Sequence, residues 1–189
     1  MRKPVFLTAN GLYNQEVLSA FVNMVGSNTP NMTACIITTA DKEYKDKNYH
    51  AINLSNILGE MNYTVDFIDV EFENPNSLYN YDIIYINGGN PFYLLYHIRN
   101  SGSDRILREL QQSKFIVGQS AGAAVLGRSL EHAQILHPEW NELNLIDLCG
   151  LGIVNEVVLP HSNRYIKIDE KVHNLKPIML EDNQYKILK

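Results

Sequence analysis

Short apolar runs alternate with segments of helical periodicity from Val5 to Leu126. The runs are typical of buried strands, and the segments between them repeat apolar residues every three or four positions, as amphipathic helices do. Predicted strands cover 5–8, 33–39, 63–68, 81–86 and a run from Phe115, and predicted helices cover 15–25, 44–62, 91–100 and 104–112. This alternation predicts an α/β fold with a doubly wound, mostly parallel sheet.

The remaining third of the chain is less regular. Residues 128–147 are polar and predict a long surface connection, whereas 151–159 predict one long strand or a strand pair. Residues 164–175 can form a helix, and a closing hairpin is predicted from 178–180 and 185–188 around the turn 181–184. At 189 residues the whole chain, 1–189, is expected to form a single catalytic domain.

Composition narrows the possible functions. The hydrophobic fraction of 45% and charged fraction of 20% are ordinary for a soluble protein, and a net charge of −5 argues against nucleic-acid binding. No apolar run is long enough to span a membrane, and the N-terminal run is too short for a secretory signal, so a cytoplasmic location is expected. Cys35 and Cys149 form no C-x-x-C motif, and we expect neither a metal nor a cofactor.

The candidate chemistry centres on Gly118-Gln119-Ser120-Ala121-Gly122, which follows the run from Phe115 and opens an Ala-rich segment of helical spacing. This pattern is typical of a nucleophile elbow, in which a sharp strand–helix turn exposes a serine hydroxyl. The N–H of Ala121 would then face a developing oxyanion. A plain strand–helix connection is the competing interpretation.

A second glycine motif, Gly88-Gly89, directly follows the strand predicted at 81–86. Ligands of doubly wound sheets bind at the carboxyl ends of the strands. We therefore expect Gly88-Gly89 and Ser120 to meet at the same edge of the sheet. The charged segment 41–47 is instead predicted to be a solvated helix start.

A serine nucleophile needs a base and usually an orienting acid. Among six histidines, His161 is favoured because it follows the apolar run that ends at Leu159. His132 and His137 lie in the loose connection, while His50, His97 and His173 fall in helix patterns and are expected at the surface or in packing. Spacing along the sequence does not decide which carboxylate orients the base, and the candidates are Asp147, Glu181 and Asp182.

Three motifs together resemble the peptidase E family of serine peptidases, the S51 group, which includes α-aspartyl dipeptidase and cyanophycinase. They are Ile86-Asn87-Gly88-Gly89-Asn90, Gly118-Gln119-Ser120-Ala121-Gly122-Ala123 and Leu159-Pro160-His161. The resemblance implies a fold like that of class I glutamine amidotransferases. It also implies Ser120 as nucleophile, His161 as base, and the Gly89 and Ala121 N–H groups as oxyanion hole. Asp182 matches the acid in Leu180-Glu181-Asp182.

The same resemblance implies a serine hydrolase that cleaves small peptides, including N-terminal Asp-X dipeptides. Candidate substrate-binding residues are Gly88, Asn90, Gln119 and Arg164, and Lys167 and Arg128 are further candidates for a basic residue that would read an N-terminal aspartate. An esterase or other acyl hydrolase on the same site, and a catalytically silent binding domain, are the alternative functions. The expected partner is a small peptide substrate, and a homodimer is possible.

Overall fold

A six-stranded sheet with the order β3-β2-β4-β5-β1-β8 forms the centre of the molecule. The structure, a computed structural model, describes residues 2–26 and 31–188. Strands β1 to β5 are mutually parallel, and β8 joins β1 in antiparallel orientation. The strand bounds are β1 Val5–Thr8, β2 Thr33–Ile37, β3 Thr64–Ile68, β4 Ile83–Ile86, β5 Phe115–Gln119, β6 Val158–Pro160, β7 Ile178–Leu180 and β8 Tyr185–Leu188.

Helices cover both faces of this sheet because neighbouring strand residues point to opposite sides. Phe6 and Tyr85 pack with helices α1 and α2, whereas Leu7 and Ile86 pack with α3, α4 and α5. The helix bounds are α1 Gln15–Val25, α2 Tyr49–Glu60, α3 Pro91–Asn100, α4 Ser103–Leu110, α5 Ala121–Leu126, α6 Glu131–Leu136 and α7 Glu170–Asn174. The predicted doubly wound, mostly parallel α/β fold is confirmed.

The strand register brings the two glycine motifs together. Gly118 of β5 lies opposite Ile86 of β4, and Gln119 lies opposite Thr8 of β1. The segments that follow these three strands therefore emerge side by side at the carboxyl edge. In residues 2–26 and 31–188, no helix is both long and apolar enough to cross a membrane.

The predicted C-terminal hairpin is wrong. Strand β7 pairs in parallel with β6 in a separate two-stranded sheet, and β8 pairs with β1 instead. The residues 181–184 form a turn, as predicted, but β8, which follows the turn, pairs with β1 at the edge of the main sheet and not with β7. Pairing with β1 continues the main sheet and stacks Tyr185 on Phe6, which a free hairpin would not do.

Several irregular segments also differ from their predictions. Helix α2 begins at Tyr49, where the Asn48 side chain caps it, and the charged residues before it form a short 3-10 turn. The predicted connection 128–147 contains α6, strand formation in 151–159 is limited to its last residues, and the helix predicted over 164–175 is reduced to α7. The helices predicted over 44–62 and 164–175 were too long, because the side chains of Asn48 and Asp169 cap α2 and α7 at later residues.

Candidate active site

Ser120 occupies a sharp turn between β5 and α5. Its backbone angles, φ 51° and ψ −113°, are unusual for a residue with a side chain. The Ser120 N–H donates to the Thr8 carbonyl at 3.0 Å, and the Ser120 carbonyl accepts from the Ala124 N–H. These bonds hold the turn, which presents the hydroxyl at the carboxyl edge of the sheet.

The turn is tight because α5 starts directly against β4. A Cβ atom added at Gly122 would lie 2.0 Å from the Ile86 carbonyl oxygen. Glycine is therefore required at this position of the elbow for the helix to approach so closely.

His161 bridges Ser120 and Asp182. The distance from His161 Nε2 to Ser120 Oγ is 3.0 Å, and that from His161 Nδ1 to Asp182 Oδ1 is 2.6 Å. Both distances are within hydrogen-bond range. The structure thus brings together the predicted nucleophile, base and acid in one continuous hydrogen-bonded row.

The small second sheet explains why His161 and Asp182 meet. Pro160 at the end of β6 lies opposite Leu180 at the end of β7 in parallel register. The residues that follow the two strands therefore leave the sheet at the same end. His161 then adopts a left-handed conformation, with φ 57°, which turns the chain at this point.

Asp182 is held in its charged form. Burial opposes ionisation, but hydrogen bonds from His161, Arg164 and Asn163 lower the pKa of the Asp182 carboxyl to about 2. Arg164 Nε lies 2.9 and 3.1 Å from the two carboxylate oxygens, and the Asp182 N–H donates to Asn163 Oδ1. The carboxylate is consequently available to accept from His161 at any pH near neutrality.

The neutral form of His161 is favoured. Burial lowers the pKa of the imidazole, the hydrogen bond to Asp182 raises it, and the positive charge of Arg164 lowers it again. The net pKa lies below its ordinary value, so His161 is uncharged near pH 7. A neutral imidazole is the form that can accept a proton from a serine hydroxyl.

The other acid candidates lie away from the imidazole. Asp147 is largely exposed and forms an ion pair with Arg99 at 3.3 Å. Glu181 is exposed, and its N–H donates to Gln184 Oε1 within the turn. Geometry therefore separates Asp182 from both alternatives, which spacing along the sequence could not do.

Two backbone donors lie beside Ser120. Within the described residues, the N–H groups of Gly89 and Ala121 donate no hydrogen bond. Gly89 has φ 144°, and a Cβ atom there would lie 2.3 Å from the Ala40 carbonyl oxygen. The position of the Gly89 N–H therefore requires glycine at this residue. Both residues line the same pocket as Ser120.

The predicted substrate-binding residues have mixed environments. The Asn90 side chain caps α3 and donates from Nδ2 to the Trp140 carbonyl at 2.8 Å. Gln119 is buried, and its Oε1 accepts from the Tyr85 hydroxyl at 2.7 Å. Both amides thus make internal contacts, whereas Gly88 and Arg164 line an open pocket next to Ser120.

Two pockets flank Ser120 and His161. The first, here called the polar pocket, includes Asn10, Asp41, Asn48, Asn87 and Arg164. Asn87 is almost completely buried, and its Oδ1 has no hydrogen-bond partner among the described residues. The second, here called the apolar pocket, is lined by Pro91, Ala133, Trp140, Leu159 and Tyr165, together with His132 and His137.

Sequence reasoning missed several of these lining residues. The segment 41–47 was predicted to be solvated, yet Asp41 lines the polar pocket and Lys45 pairs with Asp69 at 2.8 Å. His50, expected in packing or at the surface, also lines the polar pocket. Asn10 could have been found from the sequence, because it closely follows β1 and so lies at the same edge of the sheet as Ser120.

The further basic candidates, Arg128 and Lys167, line neither pocket among the described residues.

Comparison with known proteins identifies the family of this chain. The sequence profile of Peptidase family S51 matches residues 5–184. The chain belongs to this family. It is 27% identical over 177 residues to an uncharacterized peptidase of Listeria monocytogenes, covering 90% of this chain and 84% of the relative. It is 24% identical over 184 residues to an uncharacterized peptidase of Pasteurella multocida, covering 92% of this chain and 88% of that one.

Solved structures support the fold of this S51 member. A crystal structure of a Listeria monocytogenes protein named for peptidase E has a TM-score of 0.80 at 24% identity, covering 100% of this chain and 95% of that one. A peptidase from an acI-B1 Actinobacterium has a TM-score of 0.70 at 20% identity, covering 100% of this chain and 84% of its own. Membership of family S51 makes the chain a peptidase, and the structural likeness shows that it shares the α/β architecture of these proteins.

Proposed function

We propose that this S51 peptidase cleaves small peptides by a serine mechanism, with Ser120 as nucleophile, His161 as general base and Asp182 as orienting acid. The observation that carries the proposal is the row of hydrogen bonds from Ser120 Oγ through the imidazole to the Asp182 carboxylate. This is the arrangement of groups that activates a serine hydroxyl.

In the proposed reaction, His161 Nε2 takes the hydroxyl proton as Ser120 Oγ attacks the carbonyl carbon. The N–H groups of Gly89 and Ala121 receive the oxyanion, a contribution of about 3 kcal/mol per donor to the barrier. His161 then protonates the leaving amine, the C–N bond breaks, and an acyl-Ser120 ester remains. Water, deprotonated by His161, hydrolyses this ester and restores the hydroxyl.

The preference for an N-terminal aspartate, which the family resemblance implies, needs a cation near the attacked residue. Arg164 lies in the polar pocket, but its Nε is bound to Asp182. An activity test should therefore compare the turnover of Asp-X dipeptides with that of other dipeptides, aminoacyl amides and an ester.

Turnover of this panel by the wild type, Ser120→Ala and Ser19→Ala tests the proposal. Ser19 is an exposed serine in α1 and is the matched control. We expect Ser120→Ala to lose activity by a factor on the order of 10⁶, with Ser19→Ala unchanged. Full turnover in Ser120→Ala would overturn the assignment. Failure of an active-site phosphonate to label the wild type, with no cleavage of any substrate, would favour a silent domain instead.

A further inference from the structure

The apolar pocket has the size and lining of a side-chain subsite. It encloses about 80 Å³, room for several non-hydrogen atoms, since a single water needs about 10–15 Å³ by the same measure. Among the described residues, no lysine, arginine, aspartate or glutamate lines it. Its walls are mostly hydrocarbon and aromatic rings.

One wall of the pocket is fixed by aromatic contacts. The His137 and Trp140 rings stack with centroids 3.8 Å apart and planes 6° apart, and His137 Nε2 lies 2.9 Å from the Tyr165 hydroxyl. Asn90 holds the main chain of Trp140. The wall is therefore formed before a substrate binds, which limits the conformational cost of binding.

His132 does not supply a cation to the pocket. It is 3% exposed, and its Nδ1 has no hydrogen-bond partner among the described residues. Burial lowers the pKa of this imidazole to about 4, so it is neutral near pH 7. A carboxylate in this pocket would lose its hydration without meeting a lysine or arginine side chain, and that loss is unfavourable.

The chemistry of the second step indicates which half of the substrate enters which pocket. The water that hydrolyses the acyl-enzyme replaces the leaving amine, so it must approach from the side where that amine departed. The polar pocket, whose lining includes Asn10, Asp41 and Arg164, is the side of Ser120 better suited to water. The acyl residue, which stays on Ser120 during this exchange, is then left with the apolar pocket.

We propose that the apolar pocket receives the side chain of the residue whose carbonyl is attacked, and that it selects leucine- or methionine-sized side chains over aspartate. The inference rests on the proposed function of Ser120. It predicts a preference for apolar-X dipeptides, where the family resemblance implies Asp-X dipeptides. The leaving residue would occupy the polar pocket.

The test compares kcat/KM for Leu-Gly, Met-Gly, Ala-Gly and Asp-Gly, in which the leaving residue is constant. We expect Leu-Gly and Met-Gly to exceed Ala-Gly by about 10-fold or more, as additional buried methylene groups do in apolar pockets. Asp-Gly should be the poorest substrate of the four. Asp-Gly as the best substrate would overturn the inference.

Trp140→Ala tests the pocket itself, and Tyr79→Ala is the matched control. Trp140 and Tyr79 are exposed to similar degrees, 41% and 39%, and Tyr79 lies before β4 at the opposite edge of the sheet. Trp140→Ala should lower kcat/KM for Leu-Gly by about 10-fold and for Ala-Gly by less than about 2-fold. Equal losses on both substrates would contradict a role in selecting the side chain.

Phosphonate labelling separates failure of this inference from failure of the proposed function. Aminoalkyl diphenyl phosphonates with a leucine or an aspartate side chain react with a serine nucleophile, and the leucine reagent should label Ser120 faster. Faster labelling by the aspartate reagent would leave the serine mechanism intact and overturn the subsite. Absence of labelling and of dipeptide cleavage would remove the serine mechanism and the subsite together.

Discussion

At the scale of single residues, the row from Ser120 to Asp182 depends on the hydrogen bond between Asp182 Oδ1 and His161 Nδ1. Asp182→Asn should reduce kcat by a factor on the order of 10⁴, because an amide favours the wrong imidazole tautomer. Glu181→Gln and Asp147→Asn are the controls, since both carboxylates lie away from His161. Small and equal losses in all three variants would indicate a Ser–His dyad.

Burial and, to a smaller extent, the charge of Arg164 lower the pKa of His161, the proposed base. The net pKa of this imidazole lies below its ordinary value. Activity needs the neutral imidazole, so kcat/KM should rise with pH through this pKa, with a midpoint below about 6.5. Arg164→Ala removes the charge and should move the midpoint to higher pH.

The measurement is the pH profile of kcat/KM for the wild type, Arg164→Ala and Arg164→Lys. Arg164→Lys keeps the positive charge and should keep the midpoint closer to that of the wild type. Arg128→Ala is the control, because Arg128 is exposed and lines neither pocket. An unchanged midpoint in Arg164→Ala would contradict the electrostatic role.

At the scale of elements, the parallel strands were predictable because burial on both faces leaves nearly continuous apolar runs, such as β4. The elbow was predictable for a related reason, since glycines on both sides of Ser120 mark a close approach of helix and strand. The pairing of β7 and β8 was not predictable, because local turn residues do not specify whether a strand pairs with its neighbour in the chain or with β1. The same long-range pairing decides which acid reaches His161, so spacing left Asp147, Glu181 and Asp182 open.

Helix α6 was missed for a different physical reason. It has six residues and no side-chain cap, so its local signal is weak. Hydrogen bonds from outside the helix hold the region instead. Asn141 donates to Gln134 Oε1 of α6, and Asn90 donates to the Trp140 carbonyl. The pocket that this segment encloses could not be recognised from polarity along the chain.

Contact between α5 and β4 predicts a sharp difference between two glycine substitutions. Gly122→Ala would place a Cβ atom 2.0 Å from the Ile86 carbonyl oxygen, and should lower the free energy of unfolding by about 1–3 kcal/mol or more. It should also displace Ser120 and reduce activity. Gly59→Ala lies at an exposed position of α2, with no atom within 4 Å of the added Cβ, and should raise the free energy of unfolding by about 0.5–1 kcal/mol. Urea unfolding of both variants makes the comparison, and equal effects would contradict the close contact.

At the scale of the whole molecule, the site is assembled from segments far apart in the sequence. Ser120 follows β5 of the main sheet, whereas His161 and Asp182 follow β6 and β7 of the small sheet. The geometry of the proposed triad therefore depends on how the two sheets pack through α5, which contacts both β5 and β6. His132 and Ala133 of α6 line the apolar pocket beside Ser120, so stability and activity should fall together when this buried region is perturbed.

Acid should perturb that region through His132. The folded-state pKa of about 4 lies below the ordinary value of about 6.5, so the unfolded chain binds a proton that the folded chain excludes. Stability from the neutral imidazole is therefore full above about pH 6.5 and is lost as pH falls toward 4. The loss between pH 7 and pH 4 amounts to about 3 kcal/mol from this residue.

His132→Phe and His132→Gln remove the titrating group, and urea unfolding at pH 7 and pH 4 measures its effect. Carboxylates and other histidines contribute equally to all proteins compared, so the difference between wild type and variant isolates His132. Each variant should lose about 3 kcal/mol less than the wild type over this pH interval. His173→Gln, at an exposed position in α7, should keep the wild-type dependence. If the His132 variants kept it as well, the folded protein would have to take up the proton as readily as the unfolded chain, and burial of His132 would not oppose its charge at acid pH.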